Sequence, residues 1–310
     1  MSVGKFCSRS IDKIRRNGVQ GLADVSYESY VAALSRLNRL DAGDFTVYEQ
    51  DWDVLVVLDA CRPDLFAEVA PEYEFTSEFQ SIRSAGSNSE QWLEETFSPR
   101  FAEEMAQTAY IVGNPFSDTH LDPTDFAVLD ELWRHAWDED IGTVPPEPLT
   151  ETAIYRWRNG DHDRMIVHYM QPHFPSIPKP DHQSGIDLND VGDGWASVWE
   201  MLRRGEADTE EVWNAYRANL EHVLDSVGEL VTSIDADQVV VTSDHGNAFG
   251  SWGLYGHPPA PIDAVRQVPW CETTARNVSD RNVDTPPWVS EGADRLDSGT
   301  EKKLKDLGYI

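Results

Sequence analysis

Val54-Leu55-Val56-Val57-Leu58-Asp59-Ala60-Cys61-Arg62-Pro63-Asp64 runs five apolar residues straight into a carboxylate, with no polar alternation. A strand that is apolar on both faces belongs in the middle of a parallel sheet covered by helices. Ligands of such sheets bind beyond the carboxyl ends of the strands, where Asp59 sits. Gln238-Val239-Val240-Val241-Thr242-Ser243-Asp244-His245-Gly246 repeats the pattern: a short apolar strand, then Asp, His, and a Gly that permits a sharp turn. Two strands therefore deliver carboxylate and imidazole to one edge.

The 310 residues, 40% hydrophobic with 11 Trp, are ample for a buried core. The balance of 25 basic against 55 acidic residues gives a formal charge of −30 and argues against nucleic acid, whose binding rests on neutralising phosphates with Lys and Arg. Acids spread along the chain read as a solvated surface of the kind salt-adapted, haloarchaeal-type proteins carry. No apolar run is long enough to span a bilayer and no secretory signal opens the chain, so a cytoplasmic protein is expected. Cys7, Cys61 and Cys271 form neither a disulfide framework nor a Cys-x-x-Cys pattern, and Cys61 reads as a small buried hydrophobe.

Residues 1–41 carry apolar positions at three- and four-residue steps, with Gly18 and Gly21 as a break. This predicts an N-terminal helical extension over 1–48 ahead of a main domain over 49–310. The extension is basic at its start (Lys5, Arg9, Lys13, Arg15, Arg16), which suits packing on the main domain or a peripheral membrane contact through residues 1–40. Asp41–Asp44 reads as a turn. Pro63 in a first helical turn places a helix after Asp59. In Ser84-Ala85-Gly86-Ser87-Asn88-Ser89-Glu90-Gln91-Trp92-Leu93 small residues precede a helix for which Ser89 is the expected N-cap, a position where a nucleophile's developing charge would be stabilised.

Ala109–Pro115 reads as strand and turn, Val128–Trp137 as a helix in an excursion over the sheet edge, and Met165–Met170 as a strand running into Gln171-Pro172-His173-Phe174-Pro175. His168, inside that strand, is expected to be a core histidine, whereas His173 follows the strand end. A polar surface insertion is expected over 176–210 and an amphipathic helix from Glu211 to Ile234. A strand follows over Val265–Trp270, then a stretch without clear period, and a closing helix over Glu301–Leu307. Asp59, a serine among residues 87–89, His173, Asp244, His245 and His257 thus all fall at one edge. Carboxylate oxygens and imidazole nitrogens suit a divalent ion such as zinc, manganese or calcium, and an ion beside a serine hydroxyl favours attack on phosphorus or sulfur.

The run Leu58-Asp59-x-x-Arg62-x-Asp64, the Gly/Ser-rich helix start, Met170–Pro175, Thr242-Ser243-Asp244-His245-Gly246 and Gly256-His257 together resemble the sulfatase-like branch of the alkaline phosphatase superfamily. Leu224-Asp225-x-x-Gly228 and Leu304–Tyr309 are also similar, so the likeness covers about residues 50–310. It implies an alkaline-phosphatase-like α/β fold, a three-layer sandwich with a central, mostly parallel sheet and helices on both faces. It further implies Asp59, Asp244 and His245 as metal ligands, with one ion rather than two, and Ser89 or Ser87 as nucleophile. His173 would serve catalysis, and His257, Arg62 and Asn88 would bind substrate or a second metal. One register puts Asn88 at the nucleophile position, which implies a binding site. Ser87-Asn88-Ser89-Glu90-Gln91 lacks the Pro and Arg of a formylglycine motif, so arylsulfatase chemistry is not implied. The implied activity is a hydrolase or transferase of an anionic phosphate or sulfate ester, with a head-group transferase on a glycan or lipid, or a degenerate binding protein, as alternatives.

Overall fold

The computed structural model describes residues 3–40, 45–76, 78–180 and 197–290. The first central strand, β1 (Val54–Asp59), is buried throughout. Val54, Val56 and Leu58 pack into one core while Leu55 and Val57 pack into a second core on the opposite face. Each such side chain contributes about 1.5–3 kcal/mol on burial, so a strand apolar on both faces is most stable between two helical layers.

The chain begins with α1 (Val3–Asn38), interrupted at Gly18, where φ is 55°. After β1, Ala60 adopts the left-handed conformation (φ 62°). There follow α2 (Pro63–Val69), with its proline in the first turn, β2 (Gln80–Arg83), α3 (Ser89–Thr96), α4 (Ala102–Met105), β3 (Thr108–Val112) and α5 (Ser117–His120). Then come β4 (Val128–Glu131), α6 (Pro146–Asn159), β5 (Arg164–Pro172), α7 (Val198–Arg204), α8 (Thr209–Val231) and β6 (Ala236–Thr242). A small hairpin of β7 (Ala248–Phe249) and β8 (Tyr255–Gly256), α9 (Asp263–Arg266), β9 (Gln267–Ala275) and α10 (Pro287–Ser290) complete the described chain.

The seven-stranded sheet has the order β2-β9-β6-β1-β5-β3-β4. β6, β1, β5, β3 and β4 run parallel, and β9 runs antiparallel to both β6 and β2. Helices α2, α6 and α8 cover one face and α3 with α4 the other, which is the three-layer α/β sandwich expected. After β1 the chain goes first to one edge of the sheet, at β2, and then to the other, at β3 and β4. β1 is therefore a topological switch, the place where open α/β sheets leave a crevice for ligands.

Several expectations are corrected. Val128–Glu131 is a strand pairing with β3 (Tyr110 opposite Leu129), not the start of a helix; the apolar steps at Val128, Leu132 and Trp133 fit a helical period, and pairing with the sheet edge overrides them. Val265 and Arg266 end a short helix, and the strand expected from Val265 starts at Gln267 and runs to Ala275, into the stretch that lacks a sequence period. The turn at Asp41–Asp44, part of the polar insertion (181–196) and the closing helix at Glu301–Leu307 lie outside the described residues. Cys61 and Cys271 are buried free thiols, and burial pushes the Cys61 thiol well above its ordinary range, as a packing role requires.

Candidate metal and nucleophile site

β1 and β6 are hydrogen-bonded neighbours with Val57 opposite Thr242, so Asp59 and Asp244 leave the sheet side by side. Ala60 turns the chain there, and its N–H donates to Asp244 Oδ1 at 3.0 Å. The His245 N–H donates to the same oxygen at 2.8 Å. Ser243 ties the two strand ends together: its Oγ accepts from Cys61 N–H at 2.8 Å and donates to His245 O at 2.6 Å. Asp59 Oδ2 accepts from Asn114 Nδ2 at 3.0 Å, while Asp59 Oδ1 is buried with no hydrogen-bond donor among the described residues.

Helix α3 brings in the serines. Its N-cap is Asn88, whose side chain accepts from Gln91 N–H at 2.9 Å, and Ser89 is the first helical residue rather than the expected cap. Ser89 Oγ donates to Asp244 Oδ2 at 2.7 Å and lies 3.3 Å from His245 Nε2. Ser87 points elsewhere: its hydroxyl donates to Gln91 Oε1 at 3.0 Å and accepts from Asn38 Nδ2 of α1 at 3.0 Å. Gly86 makes the tight approach feasible, since a Cβ there would sit 2.5 Å from Trp92 N and 2.7 Å from Asn88 O. Of the three candidates in this loop, Ser89 reaches the carboxylates, Asn88 caps the helix and Ser87 holds the loop to α1.

The histidines present acceptors to one another and to the acids. His245 Nδ1 is 2.8 Å from Gly246 O and donates to it, and Nε2 lies 3.6 Å from Asp59 Oδ1 and 3.4 Å from Asp244 Oδ2. His173 Nδ1 donates likewise to Phe174 O at 2.7 Å, and its Nε2 meets His257 Nε2 at 3.0 Å. The His257 ring lies against that of His245, 4.7 Å between centroids. Burial, reinforced by the neighbouring His245, lowers His173 to about 4 and pushes His257 well below the imidazole range, so both are neutral near pH 7. Arg62 is committed to Asp64 (Nε to Oδ1, 2.7 Å) and to Asn247 O (2.6 Å).

His168 is a finding the sequence did not disclose. It is fully buried on β5, its Nδ1 2.8 Å from the Tyr110 hydroxyl, but its Nε2 has no hydrogen-bond partner among the described residues and lies 3.7 Å from Asp244 Oδ2. Asp59, His168 and Asp244 each offer a ligand atom, all within 4.8 Å of one another. Asn114 was missed as well. It sits just past the end of β3, and the same strand-end criterion that singles out Asp59 would have found it.

Electrostatically the pair of acids is unbalanced. Burial, then the charge of Asp244, drives the Asp59 carboxyl well above its usual range, with Asn114 opposing. Burial opposes ionisation of Asp244 too, but His245, His168 and the Ala60 N–H outweigh it and hold that carboxyl below its usual range. A histidine nitrogen facing two carboxylates, an orphaned carboxylate oxygen and an orphaned imidazole nitrogen are what a divalent cation satisfies. The mixed O and N donors fit zinc or manganese. The arrangement can hold a cation and orient a serine hydroxyl beside it.

No protein-family model and no curated protein matches the chain. Solved structures do. An integral membrane lipooligosaccharide phosphoethanolamine transferase from Neisseria meningitidis aligns at a TM-score of 0.50 and 12% identity, covering 87% of this chain and 59% of its own. The periplasmic domain of a phosphoethanolamine transferase from Campylobacter jejuni aligns at 0.49 and 14%, covering 74% and 82%. A 2-O GAG sulfatase aligns at 0.46 and 12%, covering 72% and 64%. At these identities the likeness is one of fold.

Proposed function

We propose, on the premise that this chain has the sulfatase-like fold of the alkaline phosphatase superfamily, that it is a metal-dependent enzyme which cleaves or transfers a phosphate or sulfate ester through Ser89. One observation carries the reading: Ser89 Oγ lies 2.7 Å from Asp244 Oδ2 and 3.3 Å from His245 Nε2, beside the cluster of ligand atoms from Asp59, His168 and Asp244. Asp59, Asp244 and His245 would hold the ion, with His168 at its flank. A divalent ion there lowers the pKa of a neighbouring hydroxyl and stabilises negative charge on the group being transferred.

The chain's own residues do the remainder. The hydrogen bond to Asp244 orients Ser89 Oγ so that a lone pair, not its proton, faces an incoming ester. His173 keeps its Nδ1 hydrogen on Phe174 O, so the one hydrogen between the two facing Nε2 atoms belongs to His257. That hydrogen is donated to His173 Nε2 here, and would pass to an ester oxygen or a departing alcohol on exchanging that partner. Attack by Ser89 would form an O–P or O–S bond as the bond to the leaving alcohol breaks, with the Ser89 proton passing to Asp244 Oδ2 and the departing oxygen taking the His257 hydrogen; water then regenerates Ser89 in a hydrolase, and a second alcohol does so in a transferase.

The test uses p-nitrophenyl phosphate, its diester and p-nitrophenyl sulfate with zinc- and manganese-loaded protein. Turnover is expected for at least one ester, together with a mass gain of one transferred group on a peptide containing Ser89. Asp244→Ala should lose both metal and turnover, and Ser89→Ala turnover alone. Undiminished turnover in either variant refutes the assignment. A purified protein that holds no metal and turns over no ester supports instead the degenerate binding site.

A further inference from the structure

Among the described residues, seven large apolar side chains are exposed, and six of them share one region: Val19, Leu22, Tyr30 and Leu37 of α1, Leu40 just past its end, and Trp252 of the β7–β8 hairpin. Tyr30 Oη donates to Trp252 O at 3.2 Å and joins the two elements. We infer that this face of α1 with Trp252 docks on an anionic phospholipid surface.

Several independent features point to a bilayer. Residues 1–40 hold seven basic against three acidic residues, whereas the rest of the chain holds 18 against 52. One of the three acids, Asp24, is buried and paired with Arg203 at 2.5 Å. A basic helix complements a negative surface such as anionic lipid. Ser26 and Ser29, on the exposed side, turn their hydroxyls back onto Leu22 O and Val25 O at 2.9 and 2.8 Å, so they add little polarity to the outer face. Trp252 is 75% exposed and held at φ 58°, a left-handed conformation that costs about 1–3 kcal/mol for a bulky residue. An indole presented to water at that cost suits the bilayer interface, where an aromatic ring with one polar atom is stable. The three- and four-residue steps along α1 would also suit a helical partner, but Trp252 widens the face beyond a helix-wide stripe. No helix among the described residues is long and apolar enough to cross a membrane, so the contact is one of lying on the surface.

The location ties this face to the site. Asn38 of α1 donates to Ser87 Oγ and, at 2.9 Å, to Gln91 Oε1, two residues either side of Ser89. Tyr27 Oη accepts from Tyr255 N–H at 3.4 Å, two residues before His257. Docking would hold both site loops at the lipid boundary, where a head group is the ester presented. That last step rests on the proposed function, whereas docking itself does not.

The experiment is co-sedimentation of the full chain with vesicles of phosphatidylcholine alone or with phosphatidylglycerol. Wild type should pellet with the anionic vesicles, remain in the supernatant with the neutral ones, and be released by salt. Trp252→Gln, and a Leu22→Gln/Leu37→Gln/Leu40→Gln triple variant, should each lower the bound fraction about tenfold or more while keeping the wild-type circular dichroism and zinc affinity. Ser89→Ala should pellet as wild type, which separates docking from catalysis. Wild type that stays in the supernatant throughout, or variants that pellet undiminished, would overturn the inference. So would a concentration-dependent dimer abolished by the same leucine substitutions, which would identify a second copy as the partner.

Discussion

Replacing Asn114 by leucine tests how the site is charged, because among the described residues Asn114 is the side chain that favours the ionised form of Asp59. Its Nδ2 donates to Asp59 Oδ2 at 3.0 Å in a buried setting, while burial and Asp244 both drive that carboxyl toward its protonated form. A hydrogen bond to a charged group is worth about 1.5–3 kcal/mol, which converts to roughly a 10–150-fold change in an equilibrium constant. The Asn114→Leu variant would leave Asp59 with no donor on either oxygen and no lock on its rotamer. A divalent ion would then have to displace a more tightly held proton and order a freer ligand. Zinc affinity of the stripped protein, measured by calorimetry and by chelator competition, should fall by about that factor.

Asn114→Asp provides the control. It keeps an acceptor for Phe116 N–H, which now donates to Asn114 Oδ1 at 3.0 Å, and sets a second carboxylate beside Asp59. The metal-free protein should lose stability through like-charge repulsion and the zinc-loaded protein should regain it, seen as a wider gap between the two melting temperatures. A folded Asn114→Leu variant that binds zinc as wild type does would refute the reasoning, since Asp59 would then not need this donor to serve as a ligand.

Replacing His168 by phenylalanine keeps a ring against Trp92, whose centroid is 5.3 Å away, and removes both nitrogens. Zinc affinity should drop by about 10–100-fold, and the Tyr110 hydroxyl left unpaired should cost about 1–3 kcal/mol in a denaturant melt; unchanged affinity in the folded variant would return His168 to a plain packing role. Gly86→Ala should displace the α3 N-terminus, because the added methyl meets the backbone at Trp92 N and Asn88 O. Ester turnover should fall with zinc binding largely kept, and a crystal structure of the variant with Ser89 Oγ still on Asp244 would contradict this.

Much of the scaffold was legible because it depends on local runs of polarity. The unbroken apolar stretches at Val54–Leu58 and Val239–Val241 identify central parallel strands, and the residues that end them, Asp59 and Asp244, are thereby placed at the ligand edge. The stripe from Tyr216 to Val231 reads as the amphipathic helix it is. Reading failed where identity comes from a distant partner. Val128–Glu131 is a strand because β3 lies beside it. The choice between Ser87 and Ser89 turns on which residue caps α3: with Asn88 as cap, the first helical residue faces Asp244, and a shift of one position would rotate a different side chain there.

The sequence by itself determined that two carboxylates and several histidines gather at one edge of a parallel sheet, since strand ends and their side-chain chemistry are properties of short segments. Only the tertiary structure decided which of these groups touch. The order β6-β1-β5-β3 sets Asp244, Asp59, His168 and Tyr110 on adjacent strands or just beyond their ends. That order follows from long-range packing of two cores, a balance no local window of the chain contains. His168 therefore reads as an ordinary interior residue along β5 and stands at the candidate metal site across it.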